Sequence, residues 1–131
     1  MIKDAPTKVI DDVGQEYDPT DVVGYMENTY PEMTSEFKKI QRDQYELFCK
    51  KQYDYGPQNI AVGTILKTKE DVKLSLLGIW FRMNDKIERL KTLLMRNGEN
   101  SVEGEPVTDS FSDVSNYGVM AQVVARGKWA K

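Results

Sequence analysis

The residues best suited to chemistry in this chain are carboxylates in pairs. Asp43 and Glu46, Asp85 and Glu88, and Asp109 and Asp113 are each separated by three or four positions. On a helix that spacing puts both side chains on one side. The last pair stands in EPVTDSFSDVSNYGVM, Glu105–Met120, where Asp109, Asp113 and Asn116 share a stripe that continues to Met120. Two like charges on one stripe disfavour a bare helix. Either water solvates them or something positive sits against them. Carboxylates converging from separate helices can hold one or two magnesium or manganese ions. Such ions grip a nucleotide's phosphates, polarise a phosphoryl oxygen and acidify a bound water. The competing reading is a solvated face, because Lys86 and Arg89 alternate with Asp85 and Glu88 as on any salt-laced helix.

Composition narrows the chemistry. The chain has no histidine, which removes Ser-His-Asp and Cys-His triads and histidine-bound zinc. A single cysteine, Cys49, excludes a disulfide framework and is expected as a packed thiol. A net charge of −3 argues against gripping nucleic acid directly. Neither a membrane-length apolar run nor the apolar core of a signal peptide occurs, so a cytoplasmic protein is expected. Phosphate-cradling glycine loops, HExxH and EF-hand loops are also missing from the sequence.

With 131 residues, 40% of them hydrophobic, the chain has material for one core. Residues 1–30 are expected as an N-terminal arm with a short helix, and 31–131 as a helical domain. Asp18-Pro19 resembles a helix start running to about Met26, and Tyr30-Pro31 ends it. Thr34 is expected to cap TSEFKKIQRDQYELFCKKQYD, with Phe37, Ile40, Leu47 and Phe48 on its apolar face, and Asp54-Tyr55-Gly56-Pro57 to stop it. The stretch GPQNIAVGTILKTKED is predicted to be a loop. LSLLGIWFRMNDKIERLKTLLMRNG follows as a helix burying Leu77, Trp80, Met83, Ile87, Leu90 and Leu94, and Arg96-Asn97-Gly98 closes it. A final helix, 107–126, should bury Phe111, Val114, Val119 and Val123, with Trp129 locking it. The fold class predicted is all-α, three main helices in a bundle whose core is completed by oligomerisation.

Three of these segments together resemble a known family. The helix ending KKQYDYG, the helix GIWFRMNDKIERL and the stretch EPVTDSFSDVSNYGVMA stand in the order seen in the nucleotide-modification-associated domain family of phages and bacteria. The matching positions are Asp54, Tyr55 and Gly56; Arg82, Asp85, Lys86, Arg89 and Leu90; and Glu105, Asp109, Asp113, Asn116 and Tyr117. That family is distantly similar to the all-α nucleoside triphosphate pyrophosphohydrolases, the MazG and dimeric dUTPase-like group. These use an E-x-x-E and an E-x-x-D pair to hold magnesium. Here Asp109 and Asp113 are four apart instead of three, a departure that bears on hydrolysis more than on nucleotide binding.

The resemblance implies a magnesium- or manganese-dependent nucleotide pyrophosphohydrolase of phage nucleotide metabolism or modification. Asp85, Glu88, Asp109 and Asp113 would hold metal, with Glu88 and Asp113 in the chemistry. Lys51, Lys86 or Arg89 would meet phosphate, Tyr55 or Trp80 the base, and Asp54 and Asn116 would complete the substrate site. A homo-oligomer is expected. Two other readings stay open. One is a nucleotide-binding module without chemistry, a sensor or sponge. The other is an interaction protein in which Asp109 and Asp113 pair with Arg82, Lys86 or Arg89.

Overall fold

The computed structural model describes residues 8–96 and 100–131. The expected helix stop at Asn97-Gly98 and residues 1–7 of the expected arm lie outside them. The described chain is mostly helical, as the apolar periodicity predicts. Its order is β1 (Val9–Ile10), β2 (Glu16–Tyr17), α1 (Val22–Thr29), α2 (Pro31–Tyr55), α3 (Gln58–Ala61), α4 (Lys69–Met95) and α5 (Val107–Ala125). Two compact units divide it, Met1–Asp43 and Gln44–Lys131.

In the first unit β1 and β2 pair antiparallel, Val9 opposite Tyr17 and Ile10 opposite Glu16. Asp11 organises their turn. Its carboxylate accepts the Val13 and Gln15 amides at 3.0 and 2.8 Å and the Tyr25 hydroxyl at 2.6 Å. Tyr25 also lies against Tyr17, ring centroids 4.2 Å apart. The short helix starts later than the Asp18-Pro19 signal predicts. Asp18 instead folds over Thr20, accepting its amide and hydroxyl, and Asp21 caps α1 by accepting the Gly24 amide at 2.9 Å. A β-carbon at Gly24 would lie 2.2 Å from the Asp21 carboxylate, so a larger residue there would push the Asp21 side chain aside and loosen this cap.

The next helix begins before Thr34. Pro31 opens it, since proline's fixed φ and missing N–H suit the first helical turn. Thr34 sits inside, its hydroxyl donating back to Tyr30 and Pro31 carbonyls. Phe37 and Ile40 of α2, expected on a buried face, are exposed, as is Cys49.

In the second unit Gly56, at φ 75°, ends α2 where the DYGP signal places the stop, its amide donating to the Gln52 carbonyl. The predicted loop contains one turn of helix, α3, closed by Val62 in the left-handed region (φ 54°) that β-branched residues rarely adopt. Thr68 and Asp71 form a reciprocal capping box that starts α4 five residues before Leu74. Lys86 and Arg89 of α4 meet Asp113 and Ser110 of α5, so the two helices run antiparallel.

The core is Ile60, Ile79, Met120, Val124 and Trp129, with Phe48, Val72, Leu76 and Met83 packed around it. The buried face of α4 is therefore Ser75, Ile79, Leu90 and Leu93; Leu77, Trp80 and Leu94 are half exposed. The serines explain the shift. A hydroxyl can turn inward where a carbonyl awaits it, and Ser75 donates to the Ile60 carbonyl at 2.6 Å. On α5, Ser110, Met120 and Val124 are buried while Phe111 and Val119 are exposed. Trp129 does lock the chain end. It packs edge-on against Phe48 with centroids 6.0 Å apart, and its indole N–H donates to the Pro57 carbonyl.

Two outcomes follow. Trp129→Ala should cost about 3–5 kcal/mol in urea unfolding followed by far-UV circular dichroism, the range for deleting a buried aromatic. The Tyr25 hydroxyl, then the Gln15 amide, hold the Asp11 carboxyl below its ordinary 3.8. Its contribution to the turn is complete above the ordinary value and is lost as pH falls through the lowered one. Amide shifts of Val13 and Gln15 should titrate together with a midpoint below 3.8; a midpoint at or above it contradicts the assignment.

Candidate functional site

Each helix of the second unit contributes one face to a shared cavity of about 250 Å³. From α2 come Phe48, Lys51, Gln52 and Tyr55, spaced three or four apart. Asp113, Asn116, Tyr117 and Met120 repeat that spacing on α5. Arg82 enters from α4 and Asn59 from α3. The bottom is apolar because Phe48 and Met120 belong to the core or pack on it.

Asp113 is the electrostatic centre. One carboxylate oxygen lies 3.2 Å from Lys51 Nζ and the other 3.1 Å from Lys86 Nζ. Its side chain is 17% exposed, against 51% for Lys51 and 37% for Lys86. The anion is thus the sheltered member, and its two cations reach it from separate helices. Arg82 donates to the Asn59 carbonyl at 3.0 Å. Among the described residues no carboxylate lies within ion-pair distance of Arg82. Most of its five N–H groups are available to another acceptor. Gln52 braces the rim by donating to the Gly56 carbonyl and to Asn59 Oδ1. Asn116 donates to the Gln44 carbonyl, which leaves its amide oxygen without a described donor.

Of the expected site residues, Lys51, Tyr55, Asp113 and Asn116 line this cavity and Lys86 joins them through Asp113. The others lie apart. Asp54 is exposed on the outer side of α2, and Asp85 and Glu88 are exposed on α4. Asp109 is exposed one turn before Asp113. Arg89 turns to α5, donating to Ser110 Oγ at 2.6 Å and to the Glu105 carbonyl, so it pins the α4–α5 pair. Trp80 is half exposed and does not line the cavity. Glu46 pairs with Lys50 on the surface.

The expected magnesium or manganese set can be tested on this geometry. Among the described residues no three aspartate, glutamate, histidine or cysteine side chains gather closely enough to hold a metal ion. The one sheltered carboxylate already faces two ammonium groups. As placed, the donor set does not fit a metal ion.

Gln52 and Asn59 carry no role in the sequence reading, while Arg82 and Tyr117 enter it only as motif positions, Arg82 also as a candidate ion-pair partner of Asp109 and Asp113. Three of them had a signal. Arg82 stands four before Lys86, Gln52 three before Tyr55 and Tyr117 four after Asp113, each one helical turn from an expected residue. Asn59 had none, because its position depends on a one-turn helix closed by a left-handed valine. No protein-family model, curated protein or solved structure matches the chain.

Asp113→Asn removes the counter-charge that holds two lysines near one another. It should cost about 1–2 kcal/mol, between an exposed ion pair and a charged hydrogen bond. Pyrophosphate, supplying replacement charge, should recover part of that loss in a urea titration. No loss, or no recovery, would count against the cluster as an anion site.

Proposed function

We propose that the second unit binds a nucleotide in this cavity, with phosphate against the cations and the base against tyrosine. The observation that carries the reading is the charge and lining of the cavity. Lys51, Arg82 and the adjoining Lys86 stand against a single carboxylate, Asp113, so the cluster has a surplus of two positive charges. An anion is the complement. Arginine with unused donors suits phosphate oxygens. Tyr55 and Tyr117 offer flat apolar surfaces for a base, and the carboxamides of Asn59 and Asn116 offer hydrogen bonds to its edge. A cavity of about 250 Å³ is small beside typical ligand clefts of about 300–1,000 Å³. Only part of a nucleotide would be enclosed, and the remainder would lie in solvent.

The family resemblance supports the ligand class. The scattered acidic pairs favour binding without a resident metal over the magnesium-dependent hydrolase that the same resemblance implies. The function proposed is therefore a nucleotide-binding module, such as a sensor or sponge. Half-exposed apolar side chains on α4 support the expectation that it works as a homo-oligomer.

Thermal shift across a panel of nucleoside mono-, di- and triphosphates, ribo and deoxy, with and without magnesium or manganese, tests the reading. At least one nucleotide should raise the unfolding midpoint without metal, and Lys51→Ala with Arg82→Ala should abolish the shift. Product release that requires metal would restore the hydrolase. A panel with no shift at all would overturn nucleotide binding.

A further inference from the structure

The face of α4 turned away from the core holds Leu74, Leu77, Trp80, Phe81 and Ile87, all between 37% and 63% exposed. Large apolar side chains clustered on one face mark an interaction surface more than scattered ones do. The charges around them show what kind. Lys73 stands as far before the midpoint of Trp80 and Phe81 as Glu88 stands after it. Glu70 and Lys91 are likewise equidistant, and so are Leu74 and Ile87. Because equal steps along a helix are equal rotations, each such pair also lies symmetrically about one line on the helix surface. All four charges are exposed, and among the described residues none is in an ion pair.

We infer that this face of α4 docks against the same face of a second copy of the chain, antiparallel, about a twofold axis between Trp80 and Phe81. Lys73 then meets the partner's Glu88, and Glu70 meets the partner's Lys91, at both ends of the contact. Trp80 and Phe81 flank the axis, each against its own counterpart on the partner, and Leu77 lies near the centre line between them. The contact spans about 30 Å of helix, at about 1.5 Å per residue. Such an interface is self-complementary, as a twofold requires. Parallel pairing in register would instead set Glu70 on Glu70 and Lys73 on Lys73, so charge selects the antiparallel arrangement. The seven-residue ladder Glu70, Leu77, Asn84, Lys91 keeps the stripe on one side of the helix throughout. Asn84 falls opposite the partner's Leu77, where a lone carboxamide disfavours other registers. The assignment specifies the oligomer proposed above and does not depend on what the cavity binds.

Sedimentation equilibrium of the full chain tests it. The wild type should dimerise reversibly. Phe81→Glu should raise the dissociation constant at least about tenfold, equivalent to about 1.4 kcal/mol, with an unchanged circular dichroism spectrum. Lys73→Glu should also weaken the dimer, and Lys73→Glu combined with Glu88→Lys should restore it. These two positions are solvent-exposed, so the exchange reads the interface even where Phe81→Glu disturbs folding. A wild type that stays monomeric to about 1 mM, or a charge exchange that fails to restore association, overturns the proposal.

Discussion

A single carboxylate holds the second unit's polar side together. Asp113 projects from α5 toward the ammonium groups of Lys51 on α2 and Lys86 on α4. Without it, two cations from different helices would face each other across the cavity. With it, they are held near a common point while a positive surplus remains. That surplus leaves the junction of the three helices with a net positive charge. Three further bonds fix the frame: Arg89 to Ser110 on one side of Asp113, Asn116 to the Gln44 carbonyl on the other, and Arg82 to Asn59 across α3. Of the residues so fixed, Arg82, Asn59 and Asn116 line the cavity, while Arg89 and Ser110 join α4 to α5 beside it.

Much of the architecture was legible because it follows from local chemistry. Gly56 after DY stops α2, and the apolar periodicity places α4 and α5 within a few residues. The misplacements have local causes as well. Thr34 and Asp18 are good capping residues, but Pro31 and Asp21 lie closer to the first turns that form. The faces of α4 and α5 were harder to read. Counting apolar residues picks Leu77, Trp80 and Phe111, yet Ser75 and Ser110, each 1% exposed, take the inner positions because bonding partners meet them there. Helices pack closely over small residues, and the larger apolar side chains are displaced to the flank.

The site was partly legible for a related reason. The like-charged stripe of Asp109 and Asp113 poses the question of what sits against it, and for Asp113 the answer is cationic. For Asp109 it is solvent. One helical turn separates these two outcomes, and spacing alone does not decide between them. Asp85 and Glu88 show the same ambiguity resolved outward. Asp85 and Glu88 lie on the exposed side of α4, while Arg82 lines the cavity and Lys86 and Arg89 turn to α5.

The most direct measurement is nitrogen-detected NMR of the lysine ammonium groups during addition of the best nucleotide from the panel. Phosphate entering the cluster should shift the Lys51 and Lys86 signals together and saturably, while Lys38 and Lys39 of the first unit stay unchanged. Saturable binding with Lys51 and Lys86 unmoved would contradict the account, because the phosphate would then lie elsewhere on the protein.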